Sequence, residues 1–165
     1  MKDFNLLLKK PYAAQTIERL VRYAKIETTS DRHAGVIPST PTQWNLARLL
    51  VDELKTLGIA DVILDDKCFV IARIPATPGL ENKPSIGLMA HIDTSNEVSG
   101  SNIKPRVVTA YDGKEIKLSA DWTLDPANYP ELKEYIGDSL VVTDGTTLLG
   151  ADDKCGIAIV MTALS

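Results

Sequence analysis

Residues 85 to 94 read Ser85-Ile86-Gly87-Leu88-Met89-Ala90-His91-Ile92-Asp93-Thr94. From Ile86 to Ala90 nearly every position is apolar, with no polar alternation, which is the pattern of a strand covered on both faces. Strands of that kind belong to sheets sandwiched by helices, so the expected class is α/β, a mixed β-sheet flanked by helices. The run then meets a histidine. In extended backbone, residues i and i+2 leave the same face, so His91 and Asp93 emerge together. They do so at the carboxyl end of the strand, where α/β sheets bind their ligands.

The flanking sequence supplies the helices. Between 13 and 26 the apolar residues Ile17, Leu20, Val21 and Ala24 fall at helical spacing, with Glu18, Arg19, Arg22 and Lys25 between them. Thr40-Pro41-Thr42-Gln43 reads as the start of a second helix, with Thr40 as cap, Pro41 in the first turn and Gln43 closing a capping box. Its buried stripe is Leu46, Leu49, Leu50, Leu54 and Leu57, and Gly58 is a stop. Residues 61–64 and 68–74 flank the turn Asp65-Asp66-Lys67 and predict a hairpin. Shorter β-like pieces follow at 106–109 and 115–118, in a loop-rich excursion over 95–135, and another short strand is expected at 140–143. A last helix is expected over 154–165, packed closely through Gly156 and Ala158.

Composition narrows the function. The chain has 165 residues and a formal net charge of −4, and no Lys/Arg block outweighs its acids, which argues against a nucleic-acid or acidic-membrane surface. Its first ten residues hold too short an apolar run for a signal peptide, and no stretch nears the roughly 20 apolar residues of a membrane span. Cys68 and Cys155 follow neither metal nor disulfide spacing and read as reduced residues of a cytoplasmic protein. The final residues, Met161-Thr162-Ala163-Leu164-Ser165, stop without a capping glycine or a polar tail, so truncation of a longer protein is expected.

A second constellation is Leu148-Leu149-Gly150-Ala151-Asp152-Asp153-Lys154-Cys155-Gly156. Adjacent aspartates repel unless a cation, a lysine or a helix N-terminus lies near them. In one reading Asp153 merely caps the last helix. In the other it does so while Asp152 faces a metal, and the two glycines let the backbone come close. A zinc-bound imidazole commonly donates its second ring N–H to a carboxylate. His91 as ligand with Asp93 as its orienter has that form, although a His-x-Asp triplet arises often enough by chance that it identifies nothing alone. With both constellations in one chain, the metal reading is preferred. His33 is expected to be a surface loop residue, the Glu131/Lys133/Glu134 cluster a solvated face, and Lys154 a local counter-charge.

Met89-Ala90-His91-Ile92-Asp93-Thr94-Ser95 and the run from Thr143-Asp144-Gly145 to Asp152-Asp153-Lys154-Cys155-Gly156 resemble the two N-terminal metal motifs of the peptidase T family. These are tripeptide aminopeptidases of the aminoacylase/carboxypeptidase-type dizinc metallopeptidases. The loop 34–40 with Gln43-Trp44 is similar as well, so the resemblance spans nearly the whole chain and is weakest between 102 and 135. Cys155 stands where a smaller residue is commoner.

The resemblance implies two Zn²⁺ per active site, with His91 ligating one, Asp152 bridging both and Asp93 orienting His91. It also implies a cis peptide between Asp152 and Asp153. Residues 1–165 would then be the N-terminal portion of a catalytic domain. The rest of that domain, with a Glu-Glu pair and further ligands, and a dimerisation or lid domain would lie beyond Ser165. Expected partners are a small peptide substrate and, in a homo-oligomer, a second copy. Two rival readings are another amidase of the same family (an aminoacylase or a carboxypeptidase) and a non-catalytic binding module keeping the motifs by descent. A magnesium-dependent phosphatase fits less well, because imidazole is a softer ligand than magnesium favours.

Overall fold

The computed structural model describes residues 11–165, and the N-terminal apolar run discussed above lies outside the described residues. Helices α1 (Pro11–Ala24), α2 (Gln43–Thr56) and α3 (Ala151–Ala163) form the framework. α1 packs along α3, and α2 packs on a hairpin of β1 (Asp61–Leu64) and β2 (Val70–Arg73). Their shared core is Leu20 and Tyr23 of α1, Leu46, Leu50 and Leu54 of α2, and Ile157, Ala158 and Met161 of α3. Burying a side chain such as Leu46 stabilises the fold by about 1.5–3 kcal/mol. The expected stripes are correct in outline, but Tyr23, fully buried, was not among them.

Tyr23 matters because its hydroxyl has a partner. It donates to Glu53 Oε2 at 2.7 Å, while Arg19 Nε donates to Glu53 Oε1 at 2.7 Å and an Arg22 guanidinium nitrogen to Oε2 at 2.8 Å. A second nitrogen of Arg19 reaches Thr162 Oγ1 at 3.0 Å. One carboxylate on α2 thus ties α1 in place, and Arg19 carries the tie on to α3.

The second helix starts differently from the expected capping box. Thr40 Oγ1 donates to the Thr29 carbonyl at 2.7 Å, and Gln43 Nε2 donates to Ser39 Oγ at 3.1 Å. A tertiary acceptor has captured the threonine, and the helix opens at Gln43 after a tight lead-in turn. Its end is as expected. Gly58, at φ +84°, donates to Lys55 O, and Ile59 N–H reaches back to Leu54 O, the paired closure of a Schellman motif.

The α/β class holds, but the described residues contain no continuous mixed sheet. They form three two-stranded antiparallel ribbons. β1 pairs with β2; β3 (Arg106–Val108) pairs with β6 (Leu140–Val142); β4 (Ile116–Lys117) pairs with β5 (Thr123–Leu124). A 3-10 turn at Pro130–Tyr135 precedes β6, and Glu131, Lys133 and Glu134 are exposed on it.

The run at 85–92 is not a strand here, which corrects the expectation. Ile86, Leu88 and Met89 are exposed, Met89 at 95%. A strand covered on both faces needs a hydrogen-bonded neighbour and two flanking layers, and no described element pairs with residues 85–92. Only its far end is held: Ala90 and Ile92 pack on the core, and Thr94 forms a parallel bridge with Thr29. No helix among the described residues is long and apolar enough to cross a membrane.

Glu53 yields a prediction. Burial pushes its carboxyl up, but hydrogen bonds from Arg19 and Tyr23 and the charge of Arg22 outweigh it, so the carboxyl sits below its ordinary 4.5. A depressed carboxyl adds stability above its unfolded value and loses it as pH falls through the folded one. Glu53→Gln is expected to cost about 2 kcal/mol at neutral pH. The difference from wild type should shrink below roughly pH 4.5. Urea unfolding at pH 7 and pH 3 checks both; equal differences at the two values would refute this account.

Candidate metal centre

Alternation along the extended segment places the two motif residues. Ala90 and Ile92 face the core, so His91 and Asp93 face away from it. His91 Nδ1 lies 2.8 Å from the Asp93 backbone carbonyl and 3.2 Å from Asp93 Oδ1. A carbonyl can only accept, so Nδ1 carries a proton. The nearer acceptor is the main chain, a detail no side-chain motif reveals, and Asp93 holds the ring through both groups.

Asp152 arrives from the other direction. Gly150 turns with φ +72°, and Asp152 and Asp153 have non-helical backbone angles although they fall inside the assigned bounds of α3. The Asp152–Asp153 peptide is cis, as the resemblance implied. Asp153 Oδ1 accepts the Gly156 N–H at 3.1 Å, so Asp153 does cap the helix. A Cβ on Gly156 would run into that carboxylate, which explains the glycine. Asp152 is left free to point outward with its side chain 95% exposed.

The two constellations meet. His91 Nε2 and Asp152 Oδ1 are 3.0 Å apart, across 61 residues of sequence. Burial lowers the His91 pKa, but the hydrogen bond to Asp152 and the Asp93 contacts outweigh it, so the imidazole sits above its ordinary 6.5. Two donors each about 2 Å from a tetrahedral zinc stand about 3.3 Å apart, so the observed pair fits two neighbouring coordination positions. Among the described residues no group of three or more His, Cys, Asp or Glu side chains is placed to hold a metal ion. The pair alone falls short of the four ligands that zinc usually takes.

Other candidates fall elsewhere. His33 is exposed in its loop, where its backbone N–H donates to Asp31 Oδ1 at 2.9 Å. Cys68 and Cys155 are unpaired thiols, as expected. Lys154 overturns its expectation. It makes no ion pair with Asp152 or Asp153; it is fully buried, and Nζ donates to the Ile26 carbonyl at 2.6 Å. Burial pulls its ammonium down to about 8, opposed by the charge of Glu27. A signal was available, because Lys154, Ile157, Ala158 and Met161 share one helical stripe, which places the lysine on the apolar face.

No protein-family model matches the chain. Curated relatives match closely. The Peptidase T of Geobacillus kaustophilus (strain HTA426) is 49% identical over 153 residues, which are 92% of this chain and 37% of that protein. That of Lysinibacillus sphaericus (strain C3-41) is 47% identical over 150 residues, 91% of this chain and 36% of the relative. That of Halothermothrix orenii (strain H 168 / OCM 544 / DSM 9562) is 49% identical over 154 residues, with shares of 92% and 37%. The α/β segment with its paired histidine and aspartate is thus similar over nine-tenths of its length to proteins named as peptidases. Over its matched length the chain is similar to a segment of proteins named Peptidase T, and it spans a little over a third of the length of the relatives it matches.

Gly156 gives the prediction here. Replacing a helical glycine by alanine ordinarily adds about 1 kcal/mol. Gly156→Ala is expected to lower stability instead, because the new methyl displaces the Asp153 cap, whereas Asp153→Asn keeps the cap and is near neutral. Thermal unfolding of the two variants decides. A stabilised Gly156→Ala would show that the close approach is not needed.

Proposed function

We propose that this chain carries one side of a dizinc centre in a cytoplasmic aminopeptidase that releases the N-terminal residue of tripeptides. The observation that carries the reading is the 3.0 Å approach of His91 Nε2 to Asp152 Oδ1. Two motifs remote in sequence converge on one solvent-facing point, and the relatives' shared name supplies the reaction class.

The chain's own residues divide the work. Asp93 holds the Nδ1 proton of His91, through its carbonyl and its carboxylate, so Nε2, which donates to Asp152 here, is the nitrogen that would lose its proton to take a metal. Asp152 presents a carboxylate beside Nε2 and would hold the zinc pair together with it. Asp153 keeps to capping, which prevents it from competing for the same position. Bound zinc would polarise the scissile carbonyl and acidify a water. A general base and the remaining ligands would come from residues outside this chain, since it contains no Glu-Glu pair. Alone, residues 1–165 should bind zinc weakly and cleave nothing. In the whole protein a short peptide is the substrate, a second copy the expected partner, and nucleic acid and membrane are not.

Calorimetric zinc titration of the full-length protein tests the centre. Asp93→Ala should weaken binding about 10–100-fold, and His91→Ala by more, since it removes a donor and not its support. A panel of tripeptides, dipeptides, N-acyl amino acids and C-terminally trimmed substrates tests the specificity. Zinc affinity unchanged by His91→Ala would remove the centre. Preference for N-acyl amino acids would move the protein to another amidase of the same type, and robust tripeptide cleavage by residues 1–165 alone would contradict the divided site.

A further inference from the structure

Lys154 lies two residues from Asp152 but turns away from it, into the protein. Its acceptor, the Ile26 carbonyl, sits just past the end of α1, where main-chain carbonyls lack helical donors and the helix dipole is negative. A buried ammonium is well matched to that position.

The residues after Ile26 are joined to the other motif. Thr94 N–H donates to Thr28 O at 3.1 Å, and Ser30 N–H donates to Thr94 O at 2.9 Å, with Ser30 Oγ on the same oxygen at 3.0 Å. Thr94 directly follows Asp93. On the far side, Gly150 packs against both partners: a Cβ there would lie 3.1 Å from Thr94 Cγ2 and 3.6 Å from Lys154 Nζ. A closed circuit results, running from Asp152 to Lys154, across to Ile26, along to Thr28 and Ser30, across to Thr94, and back to His91. The gap between His91 and Asp152 closes it.

We infer that Lys154 is a positioning residue: by pinning the start of α3 to the 26–30 segment, which also grips Thr94, it sets the spacing between His91 and Asp152. That spacing would otherwise depend on two separate chain segments, since Asp152 and His91 share no ladder and no helix. The assignment of a role in metal binding rests on the proposed function above; the mechanical role does not.

The test uses the full-length protein and Lys154→Met, which keeps the apolar stem and removes the ammonium. Without metal, amide exchange at Ser30 and Thr94 should quicken about tenfold or more, the effect of losing one charged hydrogen bond, while amides in the middle of α2 keep their rates. Zinc affinity, read by calorimetry, should fall about 10–100-fold, with an unfolding midpoint close to wild type. Unchanged exchange at Ser30 and Thr94 overturns the pin. Faster exchange in a protein whose wild type binds no zinc keeps the pin and sinks the metal reading instead. Faster exchange with wild-type zinc affinity overturns the claim that the pin sets the spacing. If Lys154→Met does not fold, native-state exchange of the wild type decides. Ser30, Thr94 and the amides of Ile157 and Ala158 should then share one opening reaction with one denaturant dependence, and separate openings overturn the inference.

Discussion

Three helices in this chain are held to one another at a single carboxylate. Glu53 receives two arginines and a buried tyrosine hydroxyl, and one of those arginines goes on to a threonine of α3. This junction stands where a continuous sheet would ordinarily supply the rigidity of an α/β protein. The three ribbons are too short to align anything beyond their own ends, so the orientation of α3, and with it the direction of Asp152, is inherited from α1. A pair with 12% and 13% side-chain exposure is not a surface ornament. Removing one member strands the other in a poorly solvated position, which is the costly case for ion pairs.

The site shows how a fold brings remote residues together without large elements. His91 sits on a segment with no ladder, yet its orientation is set by alternation and by a main-chain carbonyl two residues away. Asp152 precedes a helix but stays out of it, because its neighbour has taken over the cap. Each side chain is held locally. Their separation is a tertiary matter, settled by the loop between α1 and α2.

How much of this was legible follows the range of the interaction concerned. The helix stripes, the hairpin, the glycine stop after Leu57 and the Asp153 cap are local, and their residues announce them. The meeting of His91 with Asp152 was readable only because each lies in a recognisable motif; periodicity alone gives no distance across 61 residues. The failures share a cause. Thr40 looked like a cap because its competing acceptor, Thr29 O, is eleven residues away in sequence and adjacent in space. Lys154 has the setting of a counter-charge because two aspartates precede it, but the stripe it shares with Ile157 and Met161 turns it inward. Residues 85–90 have the composition of an inner strand, and composition cannot state whether the neighbours such a strand requires are present.

The two thiols carry one more consequence. Burial raises both cysteines above their ordinary 9.0, and the charge of Asp153 adds to the effect at Cys155. A thiol reacts and ligates as its anion. Neither thiol is therefore ionised at neutral pH. For the bench worker this means that gentle alkylating reagents should spare the protein, and that handling it in air needs little reductant.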